Sequence, residues 1–79
     1  MKQLPLSALH KGQWGRVERL PEDAAMAGRL RDLGLIEGTR VSCAFHAPGG
    51  DPGAYLFRGT LIAIRAKDAA GVLLEAEAI

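Results

Sequence analysis

Aliphatic hydroxyl, thiol and imidazole side chains are the groups in this sequence considered first for covalent chemistry. They are Ser7, His10, Thr39, Ser42, Cys43, His46 and Thr60. A hydrolytic site needs a nucleophile beside a base that a third group orients. Neither serine lies in a G-x-S-x-G elbow, and His10 precedes Lys11-Gly12 in a segment typical of a surface turn. We therefore expect no catalytic residue, and the chain is not predicted to be an enzyme.

Cys43-Ala44-Phe45-His46 has the C-x-x-H spacing of half a metal site. Residues three apart on a regular strand face opposite sides of the sheet, so Cys43 and His46 would need a bulge between them to share an ion. No second Cys/His pair in the sequence supplies the remaining ligands of a tetrahedral site. The prediction is a buried structural Cys43, with no metal-binding residue and no cofactor.

The segment 48–53 is rich in glycine and proline, which suggests a phosphate-binding loop at first sight. A P-loop, however, ends in Gly-Lys-Ser/Thr and opens a helix, and no such run follows here. The segment is instead predicted to be a loop of turn formers. In it, Asp51 is expected to accept hydrogen bonds from the amides that follow it, and Pro52 to restrict the backbone.

Length, charge and cysteine content narrow the class of protein. A chain of 79 residues fits one domain, spanning residues 1–79. The formal net charge of +1 is too small for a surface that binds nucleic acid or anionic lipid. One cysteine allows no internal disulfide, and no stretch resembles a signal peptide or a membrane span. The expectation is a cytoplasmic protein without nucleic-acid binding or membrane insertion.

The segment 21–33 is predicted to be the single substantial helix. Met26, Leu30 and Leu33 recur in it at i, i+4 and i+7, the spacing of one helical face. Pro21 is expected at or near the first turn, since proline is tolerated there. Gly28, in the middle, indicates either tolerated exposure to solvent or the close approach of another backbone.

The end of this helix carries a stop signal. Gly34 is expected to adopt the left-handed conformation that ends a helix, and Leu35 to pack back onto the last turn. Gly38, Gly50 and Gly59 are predicted at further turns or bends, and Gly59 separates two short strands.

The remaining segments indicate short strands separated by turns. They are 12–20, 39–47, 54–58, 60–65 and 72–76, with a one-turn helix or turn at 67–71. In 39–47 the alternation predicts that Val41, Cys43 and Phe45 face the core. The predicted fold is mainly β, a small SH3-like barrel of about five strands with one inserted α-helix.

Trp14 has two interpretations. With four aromatic residues in the chain, it is expected in the core or at the barrel rim. The alternative is an exposed platform for a peptide or a nucleic acid, for which Arg16 alone is the nearby basic support.

Three motifs in a fixed order carry a resemblance to a known family. They are Arg29-Leu30-x-x-Leu33-Gly34-Leu35-x-x-Gly38, Ala47-Pro48-x-Gly50-Asp51-Pro52, and Gly59-x-x-Ile62-Ala63-Ile64-Arg65-x-x-Asp68-Ala69. Together they resemble the FeoA family, the small cytosolic component of bacterial ferrous-iron transport, from about Leu4 to Glu75.

The resemblance implies an SH3-like domain that associates with the cytoplasmic, GTPase-bearing part of the FeoB transporter. This would bring the chain to the inner face of the membrane. Such a domain is also similar to the C-terminal domain of iron- and manganese-responsive repressors. Because no DNA-binding segment precedes Met1 in this sequence, the stand-alone form is the expectation.

We therefore expect an accessory or regulatory protein of ferrous-iron uptake that acts by binding a transporter. Six residues are the candidate contacts: Leu30, Leu33, Leu35, Pro48, Asp51 and Pro52. The alternative is a free-standing interaction module related to metal-dependent repressors. A homo-oligomer, paired through an edge strand or sharing a surface metal ion, also stays open.

Overall fold

Six strands and two helices make up the chain in the computed structural model, which describes the backbone of residues 2–78 and the side chains of residues 3–76. In chain order they are β1 Lys2–Pro5, β2 Trp14–Arg19, α1 Ala24–Asp32, β3 Arg40–His46, β4 Gly53–Phe57, β5 Thr60–Ile64, α2 Ala66–Ala69 and β6 Leu73–Ala78. A short 3-10 turn, Leu6–Ala8, follows β1. Neither of the two helices in this part of the chain is long and apolar enough to cross a membrane.

The strands form one antiparallel sheet in the order β1-β6-β2-β3-β4-β5. This confirms a mainly β, SH3-like fold with one substantial helix, with one strand more than predicted. The additional strand is β1, which pairs with β6 from Lys2 opposite Ala76 to Pro5 opposite Leu73. Proline has no amide N–H to donate to a ladder, but an edge strand tolerates it.

Helix α1 begins later than the sequence indicates. Asp23 is its N-cap, and the carboxylate oxygen Oδ1 accepts hydrogen bonds from the amides of Ala25 at 3.0 Å and Met26 at 3.4 Å. Pro21 therefore lies two residues before the N-cap, near the start of the helix but outside its first turn. A side-chain oxygen that satisfies two free amides is a stronger start signal than a proline that only tolerates the position.

The end of α1 matches the predicted stop signal. Gly34 has a φ of 99° and follows the C-cap Leu33. The amide of Leu35 donates to the Leu30 carbonyl at 2.9 Å, and that of Gly34 donates to the Arg31 carbonyl at 2.9 Å. These two bonds form a Schellman motif, which turns the chain back so that Leu35 enters the core.

The core is enclosed by the bent sheet together with residues of both helices and of the segment after β1. Its members are Leu6, Leu9, Val17, Leu20, Ala27, Leu30, Leu35, Val41, Cys43, Tyr55, Phe57, Ile64, Ala69, Val72 and Leu74. Ala27 and Leu30 are the buried residues of α1, whereas Leu33 at its end is 48% exposed. Of the predicted helical face, Leu30 therefore packs into the core, whereas Leu33, the C-cap residue, lies beside Ala63 and Ile64 of β5 and remains exposed.

A bulge in β3 changes which side chains face the core. Cys43 pairs with Tyr55, but the next pair is Phe45 with Ala54, so Ala44 is an extra residue in the ladder. Val41 and Cys43 are buried as predicted, whereas Phe45 is 47% exposed. The expectation that Phe45 belongs to the core is wrong, because one inserted residue reverses the alternation of every residue after it.

The two glycines of the α1 region make a matched pair of predictions. A residue with a side chain at position 34 would have to adopt the positive φ of 99°, and its Cβ would lie 2.6 Å from Cδ of Arg58. At Gly28 a Cβ would meet nothing within 4 Å. Gly34→Ala should lower the free energy of unfolding by about 1–2 kcal/mol, and Gly28→Ala should raise it by about 0.5–1 kcal/mol. Urea denaturation measures both, and equal effects would contradict this account.

Candidate protein-interaction surface

The loop 48–52 is held in place by its own backbone. The Ala47 amide donates to the Pro52 carbonyl at 2.9 Å, and the Gly50 amide donates to the Ala47 carbonyl at 2.7 Å. The Asp51–Pro52 peptide is cis. Pro48 and Asp51 are exposed, while Pro52 is half-buried. The loop therefore presents a closed, ordered turn on the surface.

Asp51 connects this loop to a distant part of the chain. Its Oδ1 accepts a hydrogen bond from the amide of Ala66, the first residue of α2, at 2.9 Å. The expectation that this carboxylate bonds the amides that follow it in the loop is wrong, since its partner is the amide of α2. The free amides at the start of a helix need acceptors, and the fold brings α2 to this carboxylate.

His46 closes the base of the loop from β3. Its Nε2 lies 2.9 Å from the Leu9 carbonyl oxygen, and its Nδ1 lies 3.3 Å from that of Gly50. The ring also packs edge-on against Tyr55, with 6.2 Å between centroids. A carbonyl oxygen only accepts, so each bond requires an N–H on the ring, and both form together only in the imidazolium. The side chain thus connects three segments of the chain.

Cys43 and His46 do not lie on opposite faces of β3. Beyond the bulge, His46 pairs with Gly53, which shares the core-facing side of β4 with Tyr55, the partner of Cys43. The argument from strand alternation assumed a regular strand between Cys43 and His46. It is therefore wrong, because β3 has a bulge at Ala44. Within residues 3–76, no group of three or more His, Cys, Asp or Glu side chains is arranged to hold a metal ion.

Cys43 is a free, buried thiol with 2% of its surface exposed. Burial raises the pKa of this thiol, which favours the neutral form over the nucleophilic thiolate. The predicted burial of Cys43 is confirmed by its place in the core.

The three candidate contact leucines at the end of α1 have different surroundings. Leu30 is 3% exposed and Leu35 is fully buried, so both hold the helix end to the core. Leu33 is 48% exposed and Ile36, just beyond the Schellman motif, is 41% exposed. Of the three leucines, Leu33 alone is available to a partner in the folded chain.

Trp14 lies on the outer face of the sheet rather than in the core. It is half-buried and pairs with Ser42 of β3. The guanidinium of Arg40, two residues before Ser42, lies over its ring at 3.9 Å from the centroid. This cation–π contact orients Arg40 along the outer face of β2 and β3.

Three further apolar side chains are exposed on this outer face, and sequence reasoning missed them as a surface. Leu56 and Leu61 are cross-strand partners, 45% and 52% exposed, and Phe45 reaches the same face beyond the bulge. Strands β4 and β5 are apolar on both faces, so their pattern does not indicate which residues point outward. Leu56 lies between Tyr55 and Phe57, so no polar neighbour in sequence marks it as exposed.

The architecture defines the class of the protein as a small SH3-like domain. The FeoA domain family matches residues 4–76, nearly the whole chain. The chain belongs to the FeoA family.

Solved structures of similar proteins agree with this assignment. The FeoA protein of Chlorobium tepidum is 32% identical with a TM-score of 0.88, and the match covers 95% of this chain and 71% of that one. FeoA of Stenotrophomonas maltophilia, solved with zinc, is 30% identical with a TM-score of 0.81, covering 91% and 89%. It is described as an SH3 domain protein and as a candidate activating factor of bacterial ferrous iron transport.

The fold also occurs in a different class of protein. A manganese-dependent transcriptional repressor is 14% identical with a TM-score of 0.88, and the match covers 98% of this chain and 42% of the repressor. At this identity the likeness concerns the fold alone. A search of curated proteins found no match.

The burial of Tyr55, whose ring packs against His46 at the base of the loop, can be tested at alkaline pH. Burial raises the pKa of its hydroxyl to about 12, with the nearby Cys43 and Asp51 adding to the effect. Since the folded pKa lies above the ordinary value of 10.0, this group's contribution to stability is complete below that pH and is lost as pH rises towards 12. Tyr55 is the single tyrosine, so absorbance at the tyrosinate band should titrate well above pH 10. A midpoint at the ordinary value in folded protein would contradict the burial.

His46 can be tested against His10. His46→Phe keeps an aromatic ring against Tyr55 but removes the ring nitrogens that face the carbonyls of Leu9 and Gly50, and with them the hydrogen bonding of the ring. The free energy of unfolding should fall by about 1–3 kcal/mol. His10→Phe, at an exposed position, should change it by less than about 0.5 kcal/mol. Urea denaturation distinguishes the two, and similar losses would show that the bonds of His46 add no stability.

Proposed function

We propose that this chain is an accessory protein of bacterial ferrous-iron uptake that binds the cytoplasmic, GTPase-bearing part of a FeoB-type transporter. Membership of the FeoA family over residues 4–76 carries the proposal. The description of the Stenotrophomonas maltophilia relative as a transport activating factor supports it. In this role the chain works in the cytoplasm and is recruited to the inner face of the membrane by its partner.

The exposed features of the chain suit binding rather than catalysis. The thiol of Cys43 is buried with a raised pKa, and both ring nitrogens of His46 face backbone carbonyls. By contrast, Leu33 and the ordered loop 48–52 are accessible. We propose Leu33, Pro48, Asp51 and Pro52 as contacts, with Leu30 and Leu35 supporting Leu33 from the core. Ordered surface elements lose little conformational entropy on binding.

The alternative is a free-standing module that binds a metal-dependent repressor. Its support is the fold shared with the manganese-dependent repressor at 14% identity. The two functions separate in a binding experiment, because the accessory protein binds the transporter's cytoplasmic part and the regulatory module binds a repressor. We favour the transporter because the family match is specific and the repressor likeness is one of fold.

Calorimetric titration with the purified cytoplasmic part of the transporter tests the proposal in its nucleotide-free, GDP-bound and GTP-analogue-bound forms. We expect saturable binding in at least one form. Leu33→Gln should weaken it several-fold, roughly 1 kcal/mol, because an exposed apolar contact is lost. Ala25→Gln is the matched control, an exposed position in the first turn of the same helix. Absence of binding in every nucleotide state would refute the proposed function.

A further inference from the structure

Two shallow grooves meet at a pair of arginines on the outer side of the sheet. The first, of about 450 Å³, lies beside the segment 36–39 that follows α1. The second, of about 420 Å³, lies on the sheet between Trp14 and the β4–β5 turn. Arg40 and Arg58 line both grooves. The arginines therefore form the boundary between the helix end and the outer face of the sheet.

The second groove continues into an apolar surface built from two rows of paired residues. In one row Trp14 lies opposite Ser42, Ser42 opposite Leu56, and Leu56 opposite Leu61. In the next row Phe45 lies opposite Ala54, and Ala54 opposite Ala63. Directly opposed residues point to the same side of a sheet. We call this surface the outer sheet face; it consists of Trp14, Ser42, Phe45, Ala54, Leu56, Leu61 and Ala63.

The outer sheet face concentrates exposed apolar side chains. Phe45, Leu56 and Leu61 are 47%, 45% and 52% exposed, and they are three of the five large apolar residues exposed in the described chain. No charged residue belongs to either row. Contiguous apolar patches of this kind on small proteins mark places where another molecule binds.

The charged side chains that line the second groove have one sign. Arg40 and Arg58 line the second groove, and no Asp or Glu of the described chain lines it. Glu37, which lines the first groove, lies 3.9 Å from Arg31. Arg40 stacks on Trp14, and the side chain of Arg58 lies against Gly34, so both guanidiniums are oriented by neighbouring groups. The edge is an ordered positive site beside an apolar floor.

We propose that the outer sheet face docks an apolar segment of a partner protein that carries a carboxylate beside its apolar side chains. Leu56, Leu61 and Phe45 receive the apolar residues, and Arg40 and Arg58 pair with the carboxylate. Guanidinium groups bind carboxylates through two parallel hydrogen bonds, which sets the orientation of the segment. The proposal deepens the proposed function, on which it rests, by naming a binding surface beyond Leu33 and the loop 48–52.

Charge and geometry favour this occupant over the others. The guanidinium of Arg40 covers a face of Trp14 that a nucleic-acid base would need for stacking. A two-fold dimer of this chain would bring the same surface, with the same arginines, to both sides of the interface, so it would supply no carboxylate for them. An acidic, apolar segment matches both the floor and the edge.

Three variants test the face with the cytoplasmic part of the transporter as the probe. Leu56→Gln and Leu61→Gln should each weaken binding by about tenfold, and Arg58→Glu should weaken it and reduce its salt dependence. Arg19→Glu, the same charge change at an exposed position of β2 lining a different groove, should leave binding unchanged. Circular dichroism checks that each variant is folded. Binding by all three variants as tight as that of the unsubstituted chain would overturn the proposal.

A second probe keeps the face testable if the transporter does not bind at all. It is a peptide of alternating leucine and glutamate, compared with the same peptide carrying lysine in place of glutamate. Amide chemical shifts should move at Leu56, Leu61 and Arg58 with the glutamate peptide alone. Equal shifts with both peptides, shifts with neither, or a concentration-dependent dimer abolished by Leu56→Gln in light scattering would each overturn the assignment.

Discussion

One extra residue in β3, Ala44, decides which of the following side chains of that strand face the core and which face outward. Before it, Val41 and Cys43 enter the core; after it, Phe45 faces outward and His46 faces inward. The position of His46 at the base of the loop follows from this shift, because its ring reaches Leu9 and Gly50 only from the inner side. The exposed Phe45 on the outer sheet face is the other consequence. The contacts of His46 at the base of the loop and the place of Phe45 on the outer sheet face thus depend on one bulge.

The small size of the chain explains why the surface is so apolar. A domain of 79 residues encloses one core, and Tyr55, Phe57 and the buried leucines occupy it. Leu56 and Leu61 alternate with those residues along β4 and β5 and have no second layer to cover them. In larger domains helices pack on both faces of a sheet, whereas here α1 packs on the inner side only and the outer side has no helix in the described part of the chain. A partner protein can supply the missing layer.

The end of α1 contacts the β4–β5 turn at Gly34, where a side chain would not fit. Gly34 ends the helix with a positive φ, and the Arg58 side chain passes close to it. Arg58 itself occupies the turn with a φ of 53°, followed by Gly59 with 76°. The stop signal of the helix therefore also places a charged group at the edge of the sheet. This is how the exposed helix end and the outer sheet face become neighbouring surfaces.

Local signals in the sequence determined the helix end at Gly34, most of the strands, the loop 48–52, the burial of Cys43 and the family. Each of these features depends on residues that are close in sequence. Glycine at a positive φ and the period-two alternation of apolar residues can be identified from the residue types themselves. Tertiary structure alone decided the bulge at Ala44, the capping of α2 by Asp51 and the outward direction of Leu56 and Leu61. Each of these depends on a strand or helix that is distant in sequence. In strands that are apolar on both faces, only packing against the rest of the fold determines which face is buried.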